Sequence, residues 1–444
     1  MTRRFRRRII LLAMCVCLSG VETSVPQQPK RLNSFDLAQG HFMLRMAYEE
    51  IKKNYYDPKF HGVDLETVYT RVDKALDGAA SNSDVYFLIA GFVSALDDSH
   101  TYFIPPTLVH EIDRGFQMGV VGEACFVTHV RPKTDAAQKL HPGDRILSIN
   151  GYKATRESYD LLQYVFQTLS PVPELTMELV DPNGARRTEV VKATTIEHKA
   201  LIDVIGGVDE LHQKIDEQNE AHRNRERYYV NGDIVVWKMP DFEADDDAVN
   251  TMFGIARKHG TLILDLRGNL GGDVDTLKLM LQHVFDHEIK LADEVARKNT
   301  KPMTVKAGKW GAYNGKLIVL IDRDSASASE MFARVIQMEH RGTVMGDVSA
   351  GAVMESRQYQ ESIGERATVD FTLSITWANL VMTDGRSLEK VGVVPDTRAL
   401  PTAQALAAGE DPVLAQAINL AGGQIDAAAA GRLFPFEWPR LRKL

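Results

Sequence analysis

The chain has 444 residues, 44% of them hydrophobic, which allows two or three domains with a substantial core. Its formal net charge at pH 7 is −8, and it becomes −12 once a predicted leader with five Arg and one Glu is removed. This acidic balance argues against nucleic acid or an anionic membrane surface as the main partner.

Residues 1–24 predict a signal peptide. Five arginines precede an apolar run over residues 9–18, which is too short to span a bilayer. We therefore expect an exported protein, periplasmic or extracellular, that touches a membrane only through an uncleaved signal. A lipid on Cys15 is an alternative, although the bulky Met14 stands where lipoprotein signals carry a small residue. After cleavage Cys125 is the only cysteine, which excludes an intrachain disulfide and indicates a buried structural thiol.

Residues 25–110 predict a helical N-terminal region that ends in a loop. Apolar side chains recur at near-helical spacing, among them Phe42, Met46 and Ile51. The pair Ser99-His100 stands just before Pro105, which ends the helical pattern and places the pair on a loop. A loop histidine is more often structural than catalytic, so both interpretations stay open at this point.

Residues 111–196 change to short strands with turns at Pro142-Gly143 and Asn150-Gly151. This segment resembles a PDZ domain: residues 140–151 match its central Leu-x-Pro-Gly-Asp-x-Ile-Leu-x-Ile-Asn-Gly motif, and residues 115–120 resemble its carboxylate-binding loop. The resemblance implies that the loop captures a peptide C-terminus through Phe116, Gln117, Met118 and Gly119. The alternative is a PDZ domain that only packs against its neighbours.

Residues 197–422 predict an α/β core. A polar connecting helix over residues 197–227 is followed by strands at 233–237, 261–266 and 316–321, which alternate with helices at 248–258 and 276–285. This alternation implies a largely parallel sheet. Residues 423–444 form a tail whose Phe434, Phe436 and Trp438 could dock on the body or on another subunit.

Metal and cofactor sites are not expected. The acidic run at residues 243–247 opens a predicted helix, which favours a partner for the helix dipole over a metal ligand set. Nowhere in the chain do His and Cys residues have metal-ligand spacing.

One stretch combines a buried strand, a turn and a helix start, and it carries Ser325, Ser327 and Ser329. A hydroxyl at a helix N-terminus can act as a nucleophile beside N–H groups that stabilise an oxyanion. These serines could equally serve as N-caps and small packing residues. Gly271-Gly272, after the strand at 261–266, could supply a further N–H donor or simply form a turn.

Together, these segments resemble the serine peptidase family that contains the C-terminal processing (tail-specific) peptidases and the tricorn core protease. The motifs occur in the family's order at residues 97–101, 265–272, 325–330 and 388–396, with the PDZ segment between the first two. The resemblance implies an α/β fold with a mixed-sheet catalytic core of the ClpP/crotonase-like crossover type, a helical N-terminal region and an inserted PDZ domain. It also implies Ser327 as nucleophile and the N–H groups of Gly272 and Ala328 as oxyanion donors.

The general base separates two branches of this family. The tail-specific branch carries a lysine where this chain has Ala352, and no lysine occurs between Lys316 and Lys390. The tricorn-like branch instead has a Ser-His pair and a Glu, which correspond to Ser99, His100 and Glu389. Histidine titrates near pH 6.5 and is a competent base at neutral pH.

We therefore expect an exported serine endopeptidase that cleaves protein or peptide substrates, with Ser327 as nucleophile and His100 as base, and with Ser99 and Glu389 orienting the base. One alternative is an inactive relative that binds peptides or other ligands through its PDZ domain. Another is a thiol activity of Cys125 with His129. The sequence leaves the natural substrate and the oligomeric state open.

Overall fold

The computed structural model describes residues 32–106, 110–197, 227–363 and 369–438. The predicted signal peptide and most of the predicted connecting helix lie outside these ranges. Within them, no helix is both long enough and apolar enough to cross a membrane.

The N-terminal region is helical, as predicted. Side-chain caps start its helices: Asn33 accepts from the backbone of Asp36, and Ser81 and Asp84 form a reciprocal capping box. The last helix continues as a 3-10 turn that ends at Asp97, whose backbone is left-handed. The elements are α1 Ser34–Asn54, α2 Leu65–Leu76, α3 Asn82–Val93 and the short strand β1 Tyr102–Ile104.

The next region is a small antiparallel sheet with strand order β3-β4-β5-β7-β8, in which β6 pairs with β5, and β2 pairs separately with β9. Its edge strand β3 lies beside a helix that the sequence analysis missed, α5, which continues as a π-helical turn over Tyr164–Leu169. The elements are β2 His110–Asp113, β3 Phe116–Val121, β4 Ala124–Val130, α4 Ala136–Lys139, β5 Arg145–Ile149, β6 Tyr152–Lys153, α5 Tyr159–Gln163, β7 Glu174–Val180, β8 Arg186–Lys192 and β9 Thr194–Glu197.

The α/β core contains two sheets. The first has the order β10-β11-β12-β15-β16-β19 and is parallel except for β10, which confirms the predicted alternation. The elements are β10 Arg227–Asn231, β11 Ile234–Lys238, α6 Asp246–Ala256, β12 Thr261–Asp265, α7 Val274–Val284, β13 Ile289–Ala296, β14 Thr300–Val305, β15 Lys316–Ile321, α8 Ala328–Met338, β16 Thr343–Gly346, β17 Met354–Ile363, β18 Val369–Met382, β19 Thr397–Arg398, α9 Ala403–Ala408, α10 Pro412–Leu420 and α11 Ala427–Gly431.

The second sheet is antiparallel and has the order β1-β18-β13-β14, with β17 also paired to β18. No pattern in the sequence predicted β13 and β14. Strand β18 is one continuous strand of 14 residues. The mixed α/β class is confirmed, whereas the kinship with ClpP/crotonase-like folds stays a prediction.

Side chains alternate across the parallel sheet, because successive residues of a strand face opposite sides. Val235, Leu262 and Val319 pack with α6, α7 and α8 on one face, and the neighbouring Val236, Ile263 and Ile318 pack with α10 on the other. The N-terminal helices and the small antiparallel sheet share a separate core with the middle of β18. Strand β18 therefore joins the N-terminal region to the α/β core.

Candidate active site

Three neighbouring parallel strands, β12, β15 and β16, end at the same edge of the sheet. The loops that follow them cover residues 266–272, 322–327 and 347–353. In open α/β sheets, ligand sites form where the carboxyl ends of such strands meet. This edge brings the predicted nucleophile and the predicted oxyanion loop together.

The three serines have different surroundings in the structure. The Ser325 hydroxyl is buried and donates to the Leu266 carbonyl (2.7 Å), and the Ser329 hydroxyl is buried and donates to Asn269 Oδ1 (2.7 Å). Ser327 is half-exposed and occupies the N-cap of α8 with φ 52° and ψ −116°. A non-glycine residue whose backbone is held in this sparsely populated region is strained, and such strain concentrates at functional sites.

The Gly271-Gly272 turn lies against the start of α8. A Cβ on Gly271 would stand 2.7 Å from the Ser327 Cβ and 3.0 Å from the Ala328 nitrogen, so only glycine fits there. Gly272 forms a parallel bridge with Phe242, in which Gly271 and Asp273 make the backbone hydrogen bonds. In the described part of the chain, the N–H groups of Gly272 and Ala328 donate no hydrogen bond. Both donors are therefore available to an oxyanion.

Two buried side chains that the sequence analysis did not single out shape these loops. Asn269 accepts from the Gly271 N–H (2.9 Å) and donates to the Met239 carbonyl (3.0 Å). The Glu330 carboxylate accepts from the N–H groups of Gly351 (2.8 Å), Ala352 (2.9 Å) and Ser327 (3.2 Å). The spacing Ser327-x-x-Glu330 is a recognisable helix-start signature and could have indicated this contact.

Ser99, His100 and Glu389 form a hydrogen-bonded Ser-His-Glu relay. The Ser99 hydroxyl lies 2.7 Å from His100 Nδ1 and donates to Glu389 Oε2 at 2.8 Å. A hydroxyl has one proton, so Ser99 can only accept from His100, which places the imidazole proton on Nδ1. This tautomer leaves Nε2 unprotonated, as a general base requires.

The loop at residues 347–353 connects the relay to the nucleophile. The Ser327 N–H donates to the Ala352 carbonyl (2.9 Å), and the next residue, Val353, donates its N–H to Glu389 Oε2 (3.1 Å). Among the hydrogen bonds of the described residues, none joins the Ser327 hydroxyl directly to His100. The structure thus brings Ser327, Ser99, His100 and Glu389 around one loop without closing the last contact.

Burial sets the protonation states of this relay. It lowers the pKa of His100, and the negative charge of Asp98 acts in the opposite direction. It raises the pKa of Glu389, which the hydrogen bond from Ser99 opposes. A lowered histidine pKa keeps the imidazole neutral, and able to accept a proton, at neutral pH.

Arg267 lies at the start of the loop at residues 266–272 and has a structural role there. It makes paired hydrogen bonds to Asp265 (2.9 and 2.8 Å) and to Asp411 (2.9 and 2.7 Å). Burial works to raise the pKa of Asp265, but the charges of Arg267 and Lys238 hold it below its ordinary value. This ion network ties the end of β12 to the start of α10.

A second candidate site lies between β3 and α5. Its cavity measures about 30 Å³, and its lining includes Phe116, Gln117 and Met118 from β3 together with Leu162 and Phe166. Gly119, the fourth predicted contact, lies further along β3 and is not part of this lining. Because β3 is the edge of its sheet, an extended peptide could pair with it here.

The remaining predicted groups have structural positions. Asp245 caps α6, and the described residues contain no His, Cys, Asp and Glu group that could hold a metal ion. Cys125 is fully buried, which raises the pKa of its thiol to about 11, and His129 stacks on Phe436 of the tail at 4.0 Å. A buried neutral thiol is a poor nucleophile, so the Cys125 alternative loses its support.

A hydroxyl at a helix start on the edge of an α/β sheet, free N–H donors beside it and a Ser-His-Glu relay on the adjoining loop together characterise a serine-type peptidase. Residues 233–399 match peptidase family S41, residues 38–93 match the tricorn protease C1 domain and residues 108–179 match the PDZ domain. The chain is a serine-type peptidase that carries a family S41 peptidase segment, with a tricorn-type C1 segment and a PDZ domain ahead of it.

Curated relatives agree with this assignment. The carboxy-terminal processing protease CtpA of Bacillus subtilis is 21% identical over 422 residues, which cover 90% of this chain and 78% of that protein. The tail-specific protease of Haemophilus influenzae is 23% identical over 71% of this chain, which spans only 45% of that relative.

Solved structures show the same fold. Mature CPAF complexed with lactacystin aligns with a TM-score of 0.63 at 14% identity, covering 84% of this chain and 96% of that one. The photosystem II D1 C-terminal processing protease aligns with a TM-score of 0.52 at 16% identity, covering 90% of this chain and 100% of that one.

Proposed function

We propose that this chain is an exported serine endopeptidase that hydrolyses peptide bonds through an acyl-enzyme at Ser327. His100 acts as base and then as acid, Ser99 and Glu389 orient it, and the N–H groups of Gly272 and Ala328 bind the oxyanion. The observation that carries this proposal is the Ser99 hydroxyl, which bridges His100 Nδ1 and Glu389 and thereby fixes the tautomer that leaves Nε2 basic.

Acylation follows from these positions. The Ser327 hydroxyl oxygen attacks the carbonyl carbon of the scissile bond while its proton passes to His100 Nε2, and the carbonyl oxygen takes up the negative charge between the two N–H donors. The C–N bond then breaks, and the imidazolium returns its proton to the leaving amine. Deacylation repeats the sequence with water in place of the hydroxyl, so the proton on His100 is returned at the end of each cycle.

The missing direct contact between Ser327 and His100 fits a substrate-free enzyme. Catalytic hydrogen bonds in free enzymes are often long and shorten only in the substrate complex. The relay and the nucleophile both contact the same loop, through Val353 and Ala352.

We propose further that the PDZ domain receives the C-termini of substrates along β3, with Phe116, Gln117, Met118 and Gly119 forming the contact strand and its loop. The names of relatives that process carboxyl termini support this substrate class. The domains proposed are a leader (1–24), an N-terminal helical region (25–110), the PDZ domain (111–196), the peptidase core (197–422) and a tail (423–444). Export rests on the leader, and N-terminal sequencing of the protein made in a secreting host tests it.

The test of this mechanism compares Ser327→Ala and His100→Asn with the wild-type enzyme on an unfolded protein and on peptides with free or amidated C-termini. Both variants are expected to lose roughly 10⁴-fold or more in kcat. Ser83→Ala, on the partly exposed side of α3, is the matched control and is expected to cleave normally. Cleavage by Ser327→Ala at the wild-type rate would refute the assignment, and equal rates on both kinds of C-terminus would refute the role of the PDZ domain.

An inactive, ligand-binding relative is not the favoured alternative, because the oxyanion donors and the relay are all present. A fluorophosphonate that reacts with serine nucleophiles discriminates between the two functions. Labelling of the folded protein that disappears in Ser327→Ala supports the peptidase, and an unlabelled folded protein supports the binding function.

A further inference from the structure

Asp98, which directly precedes the Ser-His pair, holds the backbone of the relay with a single oxygen. Its Oδ1 accepts from the N–H groups of His100 (2.9 Å) and Thr101 (2.7 Å) and from the Thr376 hydroxyl on β18 (2.8 Å). The Ser374 hydroxyl donates to the His100 carbonyl (2.7 Å) from the same strand. The main chain of His100 is thus fixed on both sides, which limits where its ring can point.

The second oxygen of Asp98, Oδ2, has no hydrogen bond of ordinary geometry within the described residues. The Tyr55 phenol lies close to this carboxylate: burial raises the pKa of Tyr55, and the charge of Asp98 and a side-chain hydrogen bond to it add to the rise. Burial also raises the pKa of Tyr56, and the charge of Asp98 again adds to the rise. Asp98 is therefore a carboxylate set among neutral phenols beside the relay, an environment that is common at functional sites.

The charge of Asp98 also acts on His100. Glu389 reaches the ring through the Ser99 hydroxyl, whereas Asp98 binds the backbone N–H of His100, and its charge opposes the lowering of the His100 pKa by burial. The nearby cation Lys390 pairs with the preceding residue, Asp97, with 3.7 Å between Lys390 Nζ and Asp97 Oδ1. When His100 takes up the nucleophile's proton, the resulting imidazolium is buried, and a nearby negative charge stabilises it.

We propose that Asp98 is a positioning residue of the catalytic relay, which fixes the Ser99-His100 turn through Oδ1 and supplies the negative charge that supports His100 while it carries the Ser327 proton. This inference rests on the proposed function, since it requires His100 to be the base. A purely structural Asp98 would need only an oxygen acceptor for the turn.

Asp98→Asn separates these two roles. An amide oxygen can still accept from His100, Thr101 and Thr376, and its NH₂ group takes the place of Oδ2, near the Tyr55 phenol, whose oxygen can accept a hydrogen bond. The variant is therefore expected to fold with an unchanged melting temperature while it loses the charge. We expect kcat to fall by at least about tenfold at pH 7, with KM within about twofold. The acid limb of the kcat/KM profile should move to lower pH, because the histidine is no longer favoured in its charged form.

Asp97→Asn is the matched control. Asp97 is the adjacent residue, is partly exposed and has a left-handed backbone that asparagine tolerates, so this variant should keep the wild-type kcat and pH profile. Wild-type values for Asp98→Asn would overturn the inference. His100→Asn is assayed in parallel: if it remains active, the proposed function fails, whereas an inactive His100→Asn beside a normal Asp98→Asn refutes the role of Asp98 alone.

Asp98→Glu keeps the test decisive if Asp98→Asn does not fold. This variant retains the charge but moves it by one methylene group, so the acid limb should stay near the wild-type position while kcat falls. A wild-type kcat for Asp98→Glu would contradict the positioning role.

Discussion

Glu389→Gln should inactivate the enzyme by reversing the tautomer of His100. The carboxylate of Glu389 faces three donors: the Ser99 N–H at Oε1, and the Ser99 hydroxyl and the Val353 N–H at Oε2. A glutamine can present its oxygen to only one of these positions. If its NH₂ group replaces Oε2, it donates to the Ser99 hydroxyl, which must then donate to His100 Nδ1. The imidazole proton moves to Nε2, where it blocks proton transfer from Ser327.

The other orientation of the amide is also costly. It places the NH₂ group against the Ser99 N–H, which leaves a partly buried donor without its acceptor at about 1–3 kcal/mol. Glutamine in this position therefore either reverses the tautomer or displaces the Ser99 turn. A wrong histidine tautomer costs about 10⁴-fold in kcat in a serine-peptidase triad. We expect a loss of about 10³–10⁴-fold here, equivalent to about 4–5.5 kcal/mol of transition-state stabilisation.

The assay measures kcat and KM on a fluorogenic peptide, the rate of fluorophosphonate labelling and the melting temperature. KM should change little, because Glu389 does not line the peptide cavity. Glu49→Gln, on the exposed side of α1, controls for loss of a carboxylate elsewhere. If Glu389→Gln retained kcat within about threefold of wild type, the tautomer argument and the orienting role of Glu389 would both be wrong.

Three further measurements have definite expected results. The acid limb of kcat/KM should have an apparent pKa below 6.5, because burial lowers the pKa of His100 and the base must be neutral; a limb above 6.5 would contradict this. Gly272→Ala should lower kcat by about 10²–10³-fold, since its Cβ would stand 2.7 Å from the Phe242 carbonyl carbon and displace an oxyanion donor, whereas a normal rate would exclude Gly272 from the oxyanion site. Arg267→Gln should destabilise the fold by about 3–5 kcal/mol in urea unfolding, because Asp411 loses its guanidinium partner and the buried Asp265 keeps only Lys238, at 3.4 Å; an unchanged midpoint would show that the network is not structural.

The sequence predicted the sheet edge on which this site stands. Alternating apolar strands and amphipathic helices predicted β11, β12 and β15 to within one or two residues, because buried parallel strands have few alternative patterns. Residue identity also led to the proposal of His100 as the base, since Ala352 cannot serve as one. These inferences depended on local pattern or on single residues, which a linear sequence carries directly.

The contacts between distant segments could not be predicted in this way. Glu330 binds a loop about 20 residues later in the chain, and Asp98 binds Thr376 on β18. Strand β14 was missed because it contains a proline and few apolar residues, and β13 was missed because a register shift between Lys290 and Ala292 interrupts its alternation. Such features are set by packing between layers, and no periodicity in the sequence reports them.

The loop at residues 347–353 explains how the site can use a base from another layer of the fold. Its main chain, rather than a side chain at position 352, makes the functional contacts: the Ala352 carbonyl accepts from Ser327, and the Val353 N–H donates to Glu389. The nucleophile stands on the parallel sheet, whereas His100 precedes β1 of the antiparallel sheet. Because Ser327 and the proposed base His100 belong to different sheets, their separation depends on how those sheets pack, and the loop contacts both Ser327 and, through Glu389, the relay. A change in this loop should therefore affect kcat even where it leaves every proposed catalytic side chain in place.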